Sequence, residues 1–230
     1  MADWARPLTV HRSRWPESGL RSMLSQAFRP QSLVPVPIME AFLVSTSIVA
    51  LAEIGDKTQL LSLVLAARFR KPWPIVLGIF VATLVNHALA GAAGAWVTTV
   101  LGPQVLRWVL GLSFIAMALW MLIPDKLDDD GDASAPRLGV FGTTVLAFFL
   151  AEMGDKTQVA TVMLAAQYSA WLWVVVGTTL GMMLANAPVV WLGDRLVKRL
   201  PIRAVHLVSA LIFLALGLLV LFAPQATPLA

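Results

Sequence analysis

Cysteine is absent from the 230 residues, and charged residues make up only 13% of them. Without cysteine the chain has no disulfide, no thiolate metal site and no cysteine nucleophile. Apolar residues make up 58%, and the mean hydropathy of +0.78 lies outside the range of soluble globular proteins. The net charge of +4 comes from short loops and the N-terminal stretch, so we expect no nucleic-acid partner. The composition predicts an integral membrane protein with lipids around it.

Residues 1–37 differ from the rest of the chain. They contain five Arg and five Pro and no apolar run long enough for a signal peptide. We expect a disordered N-terminal extension, with a helix on the membrane surface as the alternative. Met39 opens the first long apolar segment, so it is an alternative start of the native chain.

Six apolar segments follow, and each is long enough to cross about 30 Å of hydrocarbon at roughly 20 residues per helix. They are residues 39–66, 74–100, 104–123, 139–166, 171–193 and 204–223. An acidic linker, residues 124–138, separates a first half, 38–123, from a second half, 139–224, which a short tail, 225–230, follows. The predicted fold is all-α with six transmembrane helices.

The two halves repeat at an offset of 99 residues. LAEIGDKTQL at 51–60 corresponds to LAEMGDKTQV at 150–159, and Gly78 corresponds to Gly177. Because each half has an odd number of spans, the second copy crosses the membrane in the opposite sense. The sequence therefore predicts two inverted-topology three-helix repeats, related by a pseudo-twofold axis in the membrane plane.

Lysine and arginine are concentrated in the loops on one side of the predicted bundle. The loops after spans 1, 3 and 5 carry Arg68, Arg70, Lys71, Lys126, Arg137, Arg195, Lys198, Arg199 and Arg203, whereas the opposite inter-helix loops carry only Arg107. The positive-inside rule then places both termini outside and the acidic linker in the cytoplasm. We expect a multi-pass protein of the cell (inner) membrane.

The duplicated motif places charges inside two of the most apolar segments. On one continuous helix, Glu53, Asp56 and Lys57 would share a single face, because they are three and four residues apart. The second motif repeats the set with Glu152, Asp155 and Lys156. One interpretation is a structural ion pair between the Glu and the Lys of each motif. That interpretation leaves the aspartates unexplained, and charges at membrane depth are usually functional.

Four carboxylates and two ammonium groups leave a net charge of −2 if the axis brings both motifs together. One divalent cation, or two protons, would balance that charge, which is the logic of a cation/proton exchanger. Oxygen ligands favour hard ions such as Ca²⁺, Mn²⁺ and Mg²⁺. The predicted metal ligands are Glu53, Asp56, Glu152 and Asp155.

Neutral polar residues accompany the carboxylates in the motifs and in spans 2 and 5. They are candidates to support the site, although hydrogen bonds between helices are the alternative role for a buried His or Asn. With the two lysines, the supporting set is Lys57, Thr58, Gln59, Asn86, His87, Lys156, Thr157, Gln158 and Asn186.

The duplicated E-x-G-D-K-T motif, followed each time by Gln, resembles the Gdt family of membrane cation transporters from Met39 to about Pro224. That family includes calcium/manganese–proton antiporters of the Golgi and bacterial manganese exporters. The resemblance implies that the four motif carboxylates bind the transported cation. The compact size, short loops and bare C-terminus are similar to bacterial members, which favours Mn²⁺ over Ca²⁺. The resemblance also implies a transporter that is not an enzyme, has a divalent cation and protons as substrates, and holds no permanent cofactor.

Two other functions remain open from the residues alone. An intramembrane aspartyl protease would use two aspartates that share a proton, but Glu53 and Lys57 have no role in that chemistry. An exporter of amino acids or other small solutes would use the lysines to meet a carboxylate, which the excess negative charge disfavours.

Overall fold

The computed structural model describes residues 36–123, 138–193 and 201–222, and these ranges are helical, without a β-strand. Their eight helices are α1 Val36–Glu53, α2 Lys57–Phe69, α3 Pro72–Val100, α4 Pro103–Trp120, α5 Gly139–Glu152, α6 Lys156–Gln167, α7 Trp171–Leu192 and α8 Ile202–Phe222. Outside the described residues lie the tail 225–230 and, apart from residues 36, 37 and 138, the predicted extension 1–37 and linker 124–138.

Four helices, α3, α4, α7 and α8, are long and apolar enough to cross a membrane. The pair α1 and α2 forms a fifth candidate span, bent by 69° at the break between the two helices. Helix α5 is apolar but has only 14 residues. The described ranges thus contain four or five candidate spans, as expected of a multi-pass membrane protein, and the six-span arrangement stays a prediction.

The prediction of continuous helices through the two motifs is wrong. Helix α1 ends at Glu53 and α5 ends at Glu152, and the next helix begins four residues later in each case. Each break contains a glycine with a positive φ, +84° at Gly55 and +78° at Gly154. Residues with a Cβ rarely adopt this conformation, so the glycines permit the break. The Glu, Asp and Lys of each motif therefore do not share one face of one helix.

Contacts between the two halves repeat with the 99-residue offset. Helix α3 packs on α5 and helix α7 packs on α1. A Cβ built on Gly78 of α3 would lie 2.7 Å from Thr144 Cβ, and one built on Gly177 of α7 would lie 3.1 Å from Ser45 Cβ. Both glycine positions and both contacted positions differ by 99. Small residues at matched positions thus allow the two matched helix pairs to approach closely.

Helices α4 and α8, one from each half, also pack on each other. The rings of Phe114 and Phe213 stack with centroids 6.2 Å apart and planes inclined by 30°. These two residues also differ by 99, so each phenylalanine contacts its own counterpart in the repeat. Large apolar side chains point outward elsewhere on this pair, for example Leu119 at 65% and Leu219 at 61% exposure. Such faces suit contact with lipid.

Candidate functional site

The two helix breaks place the motif carboxylates at helix ends. Glu53 and Glu152 are the last residues of α1 and α5. The backbone N–H of Asp56 donates to the carbonyl oxygen of Glu53, and that of Asp155 donates to the carbonyl oxygen of Glu152, at 3.1 Å in both breaks. The aspartates are the N-cap residues of α2 and α6, where the positive end of the helix dipole favours an anion. Neither aspartate side chain caps its own helix.

Gln59 stabilises the first break and connects it to the other half. Its Oε1 accepts the N–H of Gly55 at 3.0 Å, and its Nε2 donates to the carbonyl oxygen of Ala185 in α7 at 3.2 Å. The glutamine therefore satisfies a backbone donor that the helix break leaves without an intrahelical partner.

Gln158 does the same at the second break. Its Oε1 accepts the N–H of Gly154 at 2.7 Å, and its Nε2 donates to Oδ1 of Asn86 in α3 at 2.6 Å. Asn86 in turn donates to the carbonyl oxygen of Phe149 in α5 at 3.2 Å. Asn86 and Ala185 differ by 99, so both glutamines reach matched positions in the opposite half.

Glu53 is completely buried and accepts a hydrogen bond from Asn186 Nδ2 at 3.2 Å. Oδ1 of Asn186 accepts from Ser62 Oγ at 2.8 Å, and its Nδ2 also lies 3.0 Å from Sδ of Met182. The second carboxylate oxygen of Glu53, Oε2, has no donor among the described residues. A buried carboxylate oxygen without a donor is costly unless a proton or a cation occupies it.

Glu152 is also completely buried and accepts from Thr157 Oγ1 at 2.8 Å. Its Oε1, and Oδ2 of Asp155, have no hydrogen-bond partner within the part of the chain that the structure describes. Thr58, the counterpart of Thr157, is completely buried as well. Each half thus contributes a buried glutamate with one carboxylate oxygen that accepts no hydrogen bond from the described residues.

Both lysines contact groups of the opposite half. Lys57 Nζ lies 3.3 Å from Asp155 Oδ1, and the side chains are 26% and 4% exposed. This ion pair joins the two motifs, whereas the structural alternative raised from the sequence paired residues within one motif. Lys156 is buried and donates to the carbonyl oxygen of Ile123, at the end of the first half, at 3.0 Å.

The four carboxylates interact electrostatically, because Glu152, Asp56 and Asp155 all repel the charged form of Glu53. Across the described ranges, however, no three Asp, Glu or His side chains are grouped closely enough to hold a metal ion. The structure therefore brings both motifs into one buried region, and the convergence of all four carboxylates on a single ion stays a prediction.

Sequence reasoning missed two residues of this region. Ser62 contacts Asn186 and lies one turn after Gln59, so its polar side chain in an apolar helix was a usable signal. His206 Nε2 lies 3.1 Å from the carbonyl oxygen of Ile54 in the first break, and nothing in the sequence pattern indicated it. His87 is in the predicted set, is completely buried, and has no hydrogen-bond partner on either ring nitrogen among the described residues.

The chain is similar to a family of ion transporters. The family described as "Divalent cation/proton antiporter GDT1" matches residues 41–129 and, a second time, residues 140–227. A Vibrio cholerae protein named "Putative manganese exporter" is 53% identical over 186 residues, which cover 80% of this chain and 92% of that protein.

More distant relatives carry consistent names. A GDT1-like protein of Synechocystis is 26% identical over 204 residues, which cover 76% of this chain and 94% of that protein. The "Divalent cation/proton antiporter GDT1" of Saccharomyces cerevisiae is 21% identical over 238 residues, which cover 80% of this chain and 84% of that protein. No solved structure shows significant similarity to the chain.

Proposed function

We propose, from the premise that this chain belongs to the GDT1 family of divalent cation/proton antiporters, that it exports Mn²⁺ from the cytoplasm in exchange for protons. Membership makes the chain a membrane transporter and not an enzyme, so the aspartyl-protease alternative is set aside. Mn²⁺ is preferred to Ca²⁺ because the Vibrio cholerae relative, at 53% identity, is named as a manganese exporter.

The observation that carries the proposal is the pair of buried glutamates at the helix breaks. Glu53 and Glu152 are both completely buried, and each has one carboxylate oxygen without a donor among the described residues. Asp155 adds a third such oxygen. Carboxylate oxygens are the ligands that Mn²⁺ and Ca²⁺ share, and broken helices that end at a buried ion site recur in secondary transporters.

Exchange follows from the charge of the site. With every group ionised, the four carboxylates and two lysines sum to −2. A bound divalent cation neutralises this charge, and so do two protons on the carboxylates. The buried site disfavours a net charge, so cation and protons compete for the same oxygens, and loading one releases the other.

We propose that the two halves form an inverted repeat that alternates access to the site. The matched glycine contacts of α3 and α7, the matched glutamine contacts and the stacking of Phe114 on its counterpart Phe213 support this arrangement. The family also matches each half separately. In such a protein, one half rocks against the other around a fixed central site.

The membrane side also remains part of the proposal. Basic loops place both termini outside the inner cell membrane and the acidic linker in the cytoplasm. Net efflux of Mn²⁺ then uses protons that enter from the outside. Amino-acid export has less support, since Lys57 is already paired with Asp155 and Lys156 is buried against a backbone carbonyl group.

The test is Mn²⁺ flux in proteoliposomes that contain the purified full chain. An imposed pH gradient should drive Mn²⁺ against its concentration gradient, and excess Ca²⁺ should compete more weakly than excess Mn²⁺. Glu53→Gln should abolish the flux, whereas Glu40→Gln, an exposed carboxylate on the same helix, should not. Mn²⁺ flux that does not depend on the pH gradient, or that persists in the Glu53→Gln variant, would reject the proposal.

A further inference from the structure

The beginning of α8 covers the first helix break. A Cβ built on Gly55 would lie only 2.5 Å from Cγ2 of Ile202. One turn later in α8, His206 Nε2 lies 3.1 Å from the carbonyl oxygen of Ile54, a separation at which an imidazole N–H donates to a carbonyl group. Two residues of α8 therefore hold the backbone of the first break in place.

The second break has no equivalent cover from the described residues. Space around a Cβ on Gly154 is open to 4 Å there, and Met153, the counterpart of Ile54, is 55% exposed. The break is otherwise matched to the first, because its glycine has the same positive φ and its N–H is bonded to the matched glutamine.

The 99-residue offset identifies the residues that would cover the second break. The counterparts of Ile202 and His206 are Pro103 and Arg107, at the beginning of α4. Arg107, like its counterpart His206, can donate a hydrogen bond. In this structure its guanidinium group donates to the carbonyl oxygens of Val220, at 3.1 Å, and Leu221. Its hydrogen bonds therefore go to the end of α8.

We propose that His206 and Arg107 are equivalent positioning residues that hold the two helix breaks in turn. His206 holds the first break in the state described here, and Arg107 donates to the carbonyl group of Met153 in the opposite-facing state. The inference rests on the proposed transport cycle. It follows from the symmetry of an inverted repeat, in which each half adopts in one state the conformation that its partner has in the other.

The predicted topology gives the membrane side on which each of these two contacts covers its helix break. Helix α8 begins on the side that the basic loops assign to the cytoplasm, and α4 begins on the opposite side. In the state described here, α8 then covers the first break on the cytoplasmic side, while the described residues leave the second break uncovered on the opposite side. When His206 releases the first break and Arg107 holds the second, the protein would be in an inward-open state that loads Mn²⁺.

The absence of cysteine makes the exchange measurable, since each introduced thiol is the only one in the chain. Ile54→Cys and Met153→Cys are matched reporters, and a water-soluble maleimide is added to both sides of metal-free proteoliposomes. We expect Met153→Cys to react faster than Ile54→Cys. Adding His206→Ala should raise the rate at Ile54→Cys about fivefold, as the loss of one hydrogen bond allows, and should lower the rate at Met153→Cys.

Two further variants separate exchange from local loosening. His206→Arg places the donor of the counterpart position in α8 and should restore protection of Ile54→Cys. Arg107→Ala should act in the opposite sense, with faster labelling at Met153→Cys and slower labelling at Ile54→Cys. Equal labelling of both thiols, or a His206→Ala effect confined to Ile54→Cys, would overturn the inference.

Mn²⁺ flux in the same vesicles keeps this inference distinct from the proposed function. If pH-driven flux is present but the labelling is not reciprocal, only the exchange of donors is rejected. If labelling is reciprocal but Mn²⁺ is not transported, the roles of His206 and Arg107 are supported and the assigned substrate is rejected.

Discussion

Alanine substitutions at Gly55 and Gly154 separate two contributions to the helix breaks. Both glycines have positive φ, +84° and +78°, so each alanine forces an L-residue into the left-handed region. That change costs about 1–2 kcal/mol wherever it is made. The surroundings differ, because the added Cβ at Gly55 would lie 2.5 Å from Ile202 Cγ2, while among described residues nothing lies within 4 Å of it at Gly154.

Ile202 cannot relieve this contact easily. A β-branched side chain has few rotamers in a helix, so α8 itself must move away from the first break. Overpacking of this kind adds about 1–3 kcal/mol. The expected loss of unfolding free energy is therefore about 1–2 kcal/mol for Gly154→Ala and about 2–5 kcal/mol for Gly55→Ala.

Thermal unfolding of the purified variants in one detergent measures the difference, with labelling of the thiol in Ile54→Cys as a local readout. Gly55→Ala should unfold at the lower temperature and should increase that labelling, whereas Gly154→Ala should not. Equal destabilisation of both variants, or a larger effect at Gly154, would refute the argument that α8 covers only the first break.

Three further changes test the polar contacts of the site. Asn186→Leu removes the donor to Glu53, and we expect the apparent Mn²⁺ affinity in proteoliposome flux to fall about tenfold; an unchanged affinity would exclude a role for this amide. Ser62→Ala leaves the Asn186 carbonyl group without its serine donor, and the same assay should show a smaller loss, about threefold; a loss equal to that of Asn186→Leu would contradict this order. Lys57→Met leaves Asp155 without its ion-pair partner and should lower stability by about 1–3 kcal/mol in thermal unfolding, whereas Lys71→Met, at an exposed position, should have little effect.

The apolar pattern predicted the helical class correctly but not the path of the chain through the motifs. Segment length and composition are the same for a straight helix and for one bent by 69°, so residues 39–66 looked continuous. The bend depends on the backbone conformation of one glycine, and the sequence shows only that glycine permits it. At Gly55 and Gly154 the structure shows the positive φ that accompanies the break.

The site was predictable where the repeat constrains it. Gln59, Asn86, Gln158 and Asn186 were selected as supporting residues, and all four make hydrogen bonds between the halves. The contact of His206 with Ile54 could not be found in this way, because it depends on where α8 packs. The repeat also did not predict that α8 covers the first break while no described residue covers the second in the same way. A repeated sequence does not indicate which half adopts which of the two conformations.

Proton release on Mn²⁺ binding shows whether the cation and protons compete for the buried carboxylates. Purified protein in weakly buffered detergent receives Mn²⁺, and bound metal and released protons are measured together. Competition for these carboxylates predicts that binding releases protons, up to about two for each ion if the site stays neutral. It also predicts that Glu53→Gln combined with Glu152→Gln loses both signals, while Glu40→Gln keeps both. Tight Mn²⁺ binding by the double variant, or binding without proton release in the native chain, would contradict it.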